Sequence, residues 1–295
     1  MRRRTLVKIA ALGTAIGAAP VLAQSHPEGA RAMIATTSAR VTANGVELYY
    51  EIHGEGAPLI MLHGGVNPSD FFGETLATMA ESHQVYAVHL RGHGFSKDRN
   101  EPWSYEVMAD DVAALMGEIG LPSADVMGWS LGGGVGLQLA IRHPERVKKL
   151  VVISMAYRAA GDYPEIRAAF DAMPAEAAEF AALTERAPFA ALYPEIDWEV
   201  MFRKTGEMNQ PRHDWTTGVA AITSPVLLMF TDADTIQLEH MTAFYQLLGG
   251  GQRAAGQDGS GRSIHRLAII PGRTHYDSVR SPAVTMFANE FLLAE

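Results

Sequence analysis

The stretch DVMGWSLGGGVGLQLAIRHPE, residues 125–145, holds one serine, Ser130, between Trp129 and Leu131, with Gly128 and Gly132 two positions away on either side. A serine hydroxyl is a weak nucleophile unless a base takes its proton and its oxygen stands clear of the backbone. A sharp turn from strand to helix gives that clearance. It also crowds the positions two before and two after the serine, where only glycine escapes a side-chain clash. Here ADVMGW supplies an apolar strand and LGGGVGLQLAIRHPE a helical run. The helix would aim its first amides at the serine, favouring a developing negative charge there. A five-residue glycine–serine pattern also arises by chance; the strand before it and the helix after it set this one apart.

Outward from this turn the same form repeats. PLIMLHGG, QVYAVHLRGHG, KKLVVISM, SPVLLMF and HRLAIIPG are short apolar runs of the kind buried parallel strands need. Helical patterns separate them at about 70–81, 105–119, 131–142, 239–248 and 282–293. ARVTANGVELYYEIHGEG alternates around Asn44-Gly45, a two-residue hairpin signal. The expected fold is therefore α/β: a mostly parallel twisted sheet with helices on both faces and an antiparallel hairpin at the start. One interval breaks the alternation. Residues 156–218 are rich in Ala, Glu and Pro and carry Phe170, Phe180, Phe189, Tyr193, Trp198, Phe202 and Trp215. They are expected to form a helical cap over the carboxyl ends of the strands, where open sheets of this kind bind ligands. The core would then comprise 38–155 and 219–295. The glycine-rich stretch 249–262 reads as a polar loop without an assigned function.

Composition narrows the function. Of 295 residues, 47% are hydrophobic and 19% charged, a globular balance, and the formal net charge is −9. Such a surface repels phosphate backbones and anionic lipid, which argues against nucleic-acid binding. The absence of cysteine excludes disulfides, thiolate metal sites and thiol nucleophiles. No His/Asp/Glu cluster has ligand spacing and no glycine-rich phosphate loop occurs, so neither metal nor cofactor is expected. MRRRTLVKIAALGTAIGAAPVLAQS begins with basic residues, continues apolar and ends in Val21-Leu22-Ala23. This reads as a signal peptide over 1–23, with a linker at 24–37, and predicts a periplasmic or secreted protein without a membrane anchor after cleavage. The run RRTLVK also fits the twin-arginine export signal.

Four motifs, LHGG at 62–65, RGHGFS at 91–96, GWSLGG at 128–133 and PGRTHYD at 271–277, make the chain resemble the α/β-hydrolase family, serine esterase branch, from about Ser38 to Glu295. The resemblance implies a serine, an acid and a histidine in that chain order, each on a loop after a strand. It places the base at His275, after the last strand, ahead of His213, His240 and His265. It places the acid at Asp234 in the run Thr231-Asp232-Ala233-Asp234, with Asp232 the alternative; Thr231 stands where the family carries glycine. It implies an oxyanion hole from the amide of Leu131 and that of Gly65, with Val66 as the other candidate. Trp129 and Val66 are expected to touch substrate, His63 to brace its loop, and Arg91 and His93 to tie loops beneath the site. Asp110-Asp111, neighbours on a helix and about 100 degrees apart, suit a solvated face or an internal tether better than a metal pair.

The expected chemistry is hydrolysis of carboxylic esters of small to medium apolar molecules through an acyl-enzyme. The same triad also serves lactone opening, carbon–carbon cleavage and perhydrolysis, and a silent binding protein could retain the fold.

Overall fold

The central apolar runs become strands whose two faces are both buried. A computed structural model describes residues 37–66, 68–210 and 212–294. The leader at 1–23 and nearly all of the linker lie outside the described residues. The strands are β1 (Thr37–Ala43), β2 (Val46–His53), β3 (Ala57–Leu62), β4 (His83–Val88), β5 (Ala124–Trp129), β6 (Val147–Ile153), β7 (Val226–Ala233) and β8 (Arg266–Thr274). They form one sheet in the order β1-β2-β4-β3-β5-β6-β7-β8. β1 and β2 pair antiparallel, as do β2 and β4; all other pairings are parallel. The β1–β2 turn places Asn44 at φ 48° and Gly45 at φ 74°, the positive values a two-residue hairpin of matching twist requires.

The helices are α1 (Glu74–Met79), α2 (Tyr105–Glu118), α3 (Leu131–Arg142), α4 (Pro164–Ala172), α5 (Ala177–Thr184), α6 (Trp198–Asn209), α7 (Thr216–Ala220), α8 (Leu238–Leu247) and α9 (Pro282–Leu292). Successive residues of β3 enter different cores. Leu59 and Met61 meet Met79 and Val284 of α1 and α9, whereas Ile60 and Leu62 join the cluster holding Met108, Val135 and Phe244 of α2, α3 and α8. Hence the unbroken apolar runs of β3, β5, β6 and β7: these central strands are covered on both faces.

The helical pattern over 70–81 is realised in two pieces. A short 3-10 turn, Ser69–Phe72, precedes α1, and Gly73 at φ 53° bends the chain between them. β7 and β8 also run beyond their apolar segments, with a register shift between Thr231 and Ala233 and with Ala233 opposite Thr274.

Between β6 and β7 the chain forms α4 to α7. This helical excursion is fastened to the sheet layer by polar contacts. Lys204 donates to Asp98 Oδ2 at 2.6 Å, the Tyr105 hydroxyl to Asn209 Oδ1 at 3.1 Å, and the Tyr193 hydroxyl to Asp70. Beneath it, Arg91 donates to both carboxylate oxygens of Asp111 at 2.5 and 2.6 Å, and Asn44 donates to Asp111 at 2.8 Å. Asp110 turns outward to Arg142 and His143. The acidic pair is thus one internal tether and one surface partner. Among the described residues no helix is long and apolar enough to cross a membrane.

Candidate active site

Ser130 occupies the turn between β5 and α3 with φ 52° and ψ −115°, a left-handed conformation that a non-glycine residue enters only under constraint. The constraint is the fit of its neighbours. A Cβ on Gly128 would lie 2.1 Å from the Gly132 carbonyl oxygen, and one on Gly132 would lie 2.1 Å from that of Leu62. Both glycines are therefore required by backbone contact. The Ser130 amide donates to Ile153 O at 2.8 Å and the Gly132 amide to His63 O at 3.0 Å, which ties the turn to the ends of β6 and β3.

His275 lies one residue beyond β8. Its Nε2 is 3.0 Å from Ser130 Oγ, and its Nδ1 is 2.9 Å from Asp234 Oδ1. A carboxylate only accepts, so Nδ1 carries the proton and Nε2 is left to accept from the serine hydroxyl. Three groups widely spaced in sequence thus form one hydrogen-bonded line.

Asp234 is held from several sides. Its Oδ2 accepts from the Ser154 hydroxyl at 2.6 Å, the Thr231 amide at 3.2 Å and the Thr231 hydroxyl at 3.3 Å, while Oδ1 accepts from the Thr235 amide at 2.8 Å. Burial opposes its ionisation, but the bonds from His275, Ser154 and Thr231 prevail and hold the carboxyl below its ordinary value. Thr231, where the family carries glycine, adds a hydroxyl donor to the acid. Asp232 is exposed and accepts instead from the Gly272 amide at 2.8 Å, fastening β7 to β8.

Sequence reasoning missed Ser154 and Thr235. Ser154 follows β6 at φ 52°, and Thr235 Oγ1 stands 3.0 Å from His275 Nδ1. The only signal for either was position: one follows a buried strand and the other follows the acid.

The remaining predicted residues fall as follows. Leu131 is the first residue of α3, so its amide has no helical carbonyl to bond. Gly65 and Val66 border the cavity beside Ser130, and a Cβ on Gly65 would meet only Leu131, at 3.9 Å. Val66 has φ 69°, an outlier for a β-branched side chain. His63 accepts from the Leu90 amide through Nε2 at 3.0 Å and donates through Nδ1 to Gly64 O at 2.7 Å; burial keeps its pKa well below the ordinary value. It braces its loop. His93 is likewise buried against Arg91 O, and burial lowers it to about 4. His240 stacks on Tyr157 and His265 accepts from the Val226 amide, both away from Ser130. His213 borders the cavity, bonded to Ala156 O at 3.2 Å.

Ser130 and His275 open into a cavity of about 160 Å³ between the strand ends and the helical excursion. Met155, Ile166, Phe170, Met173 and Phe202 make most of its wall apolar. Trp129 contributes an edge only: it is 3% exposed and stacks on Phe71 at 5.3 Å between ring centres.

Residues 57–193 match the sequence model of the alpha/beta hydrolase fold. The chain has the α/β-hydrolase fold. Among curated proteins, the pimeloyl-[acyl-carrier protein] methyl ester esterase of Nitrosospira multiformis is 36% identical over 114 residues, 37% of this chain and 42% of that protein. The 2-hydroxymuconate semialdehyde hydrolase of a Pseudomonas strain is 33% identical over 137 residues, 45% of this chain and 46% of that protein. The aligned segments thus span less than half the length of these relatives. A solved structure, the enol-lactonase of Burkholderia xenovorans, superposes with TM-score 0.66 at 20% identity, covering 87% of this chain and all of that one. Within this α/β-hydrolase fold, Ser130, Asp234 and His275 sit on loops that follow β5, β7 and β8, all at one edge of the parallel sheet.

Proposed function

We propose that the protein is a serine hydrolase that cleaves carboxylic esters of small to medium, largely apolar molecules through an acyl-enzyme. One observation carries the reading: the hydroxyl–imidazole–carboxylate line from Ser130 through His275 to Asp234 stands at an apolar cavity. Ser130 Oγ attacks the acyl carbonyl as His275 Nε2 takes its proton, and a C–O bond forms. His275 returns that proton to the departing alcohol oxygen, leaving the acyl group on Ser130. A water then repeats the cycle, giving the acid and free serine. Asp234 keeps the imidazole in the required tautomer and stabilises imidazolium. The Leu131 amide, with that of Gly65, stabilises the tetrahedral oxyanion. A partial relative that is a methyl ester esterase supports the ester class. The basic and apolar N-terminal run supports export.

A fluorophosphonate, which phosphonylates activated serines with loss of fluoride, tests the reading. Wild-type protein is expected to be labelled and to hydrolyse short aryl esters, and Ser130→Ala to lose both, by about 10⁴-fold or more in rate, with its fold retained. Absence of wild-type labelling would leave a binding protein of this fold. Faster turnover of lactones than of aryl esters would move the substrate class.

A further inference from the structure

Asp234 does not line the cavity, but another aspartate does. Asp162 lies at the start of the helical excursion and borders the same space as Ser130 and His275. Its backbone is fixed against the loop that carries Asp234. The Tyr163 amide donates to Thr235 O at 3.0 Å, Gln237 Nε2 donates to Asp162 O at 2.7 Å, and Asp162 bridges to Ile236 in antiparallel fashion. Arg167 also spends its guanidinium on the Asp162 carbonyl. The Asp162 carboxyl itself has no hydrogen-bond donor among the described residues, whereas Asp234 has donors on both oxygens.

A carboxylate drawn partly out of water without a donor is costly, and a ligand that brings one offsets that cost. The surrounding wall is mostly apolar, and among the described residues no lysine or arginine lines it. The cavity therefore presents one negatively charged hydrogen-bond acceptor and no lysine or arginine to receive an anion. Burial accordingly pushes the Asp162 carboxyl up to about 6, against the pull of His275 and Arg167. The groups acting on it from the packed elements are His275, Asp234, Arg167 and Arg212.

We propose that Asp162 determines specificity by accepting a hydrogen bond from a donor group on the substrate, a hydroxyl, amide N–H or ammonium, and by excluding substrates that carry a carboxylate there. The assignment rests on the Ser130 hydrolase reading and narrows it: the esters preferred are those that carry a neutral or cationic donor within reach of Asp162, and those with a carboxylate there are disfavoured.

Three aryl esters of equal chain length test it, with acyl chains ending in ammonium, methyl or carboxylate. At pH 8 wild type is expected to prefer the ammonium ester over the carboxylate ester by about tenfold or more in kcat/KM. Asp162→Asn is expected to cut that ratio at least about fivefold. A merely structural residue would lower all three esters together and leave the ratio in place, which would overturn the assignment. Wild type alone gives a second readout should the variant fold poorly. The ratio should shrink as pH falls through about 6, because Asp162 then takes up a proton. Any pH dependence of the shared chemical step acts on all three esters alike and cancels in the ratio. A ratio independent of pH between 5.5 and 8 would also overturn the assignment. Fluorophosphonate labelling run in parallel separates the two claims. Without labelling the hydrolase reading fails; with labelling and an unchanged ratio, only the role of Asp162 fails.

Discussion

The two aspartates of the run Thr231 to Asp234 show how much one carboxylate's surroundings decide. Asp234 faces His275 and is buried under donors, while Asp232 reaches only the Gly272 amide at the surface. Asp234→Asn is expected to lower kcat by about 10⁴-fold, because an amide can donate to Nδ1 and stabilise the wrong tautomer. Asp232→Asn should leave kcat/KM within about twofold, as surface substitutions do. Steady-state kinetics on one aryl ester compares the pair; equal losses would mean that the acid had been assigned wrongly. The serine was legible from its glycine-bounded turn, and the histidine and acid from the places after strands that the family resemblance implies, with Asp232 left as the alternative acid. Ser154 and Thr235 were not, since a lone hydroxyl carries no pattern and gains meaning only from what stands opposite it.

At the scale of elements, the turn between β5 and α3 was readable because its demands are local. Gly132→Ala would drive a Cβ into the Leu62 carbonyl oxygen at 2.1 Å, a backbone atom that cannot swing aside. We expect a loss of about 3 kcal/mol or more in unfolding free energy, seen as a lower denaturant midpoint. Gly65→Ala meets only Leu131 at 3.9 Å and should fold like wild type. Gly117, in the last turns of α2 and exposed, has only the tip of Arg146 near a built Cβ, at 3.7 Å. Gly117→Ala should therefore gain about 0.5–1 kcal/mol through helix propensity, and an unchanged or lower midpoint would contradict this. The split of the 70–81 pattern at Gly73 was not readable. Periodicity there is continuous, and the bend is set by packing of Phe72 and Met79 into the core that α9 completes.

For the whole molecule, pH is the sharpest probe. Burial lowers His89, His93 and His240 to about 4, and His63 well below its ordinary value. The unfolded chain binds more protons at these sites between about pH 6.5 and 4, so stability falls as pH drops through that window. Asp162, raised to about 6, works in the opposite sense: its folded form gains protons first and opposes the loss between about pH 6 and 4. Burial lowers His213 and His265 as well and raises Asp111, Asp125 and Glu176, so six histidines stand against four carboxyls and predict a net decline. Melting temperatures at pH 7.5 and pH 5 should differ by several degrees, the lower at pH 5, and equal values would show that these histidines reach water in the fold.

By itself, the sequence determined the order of strands and helices and the glycine-bounded serine, which depend on contacts within one strand, turn or helix. The candidate base and acid came from what its resemblance to the α/β-hydrolase family implied. Tertiary structure decided which hydroxyls hold Asp234, that Trp129 packs more than it lines, and that Asp162 faces the cavity. Each of these joins segments distant in sequence, so its free energy comes from burial and hydrogen bonds that exist only once the sheet and its helical cover have come together.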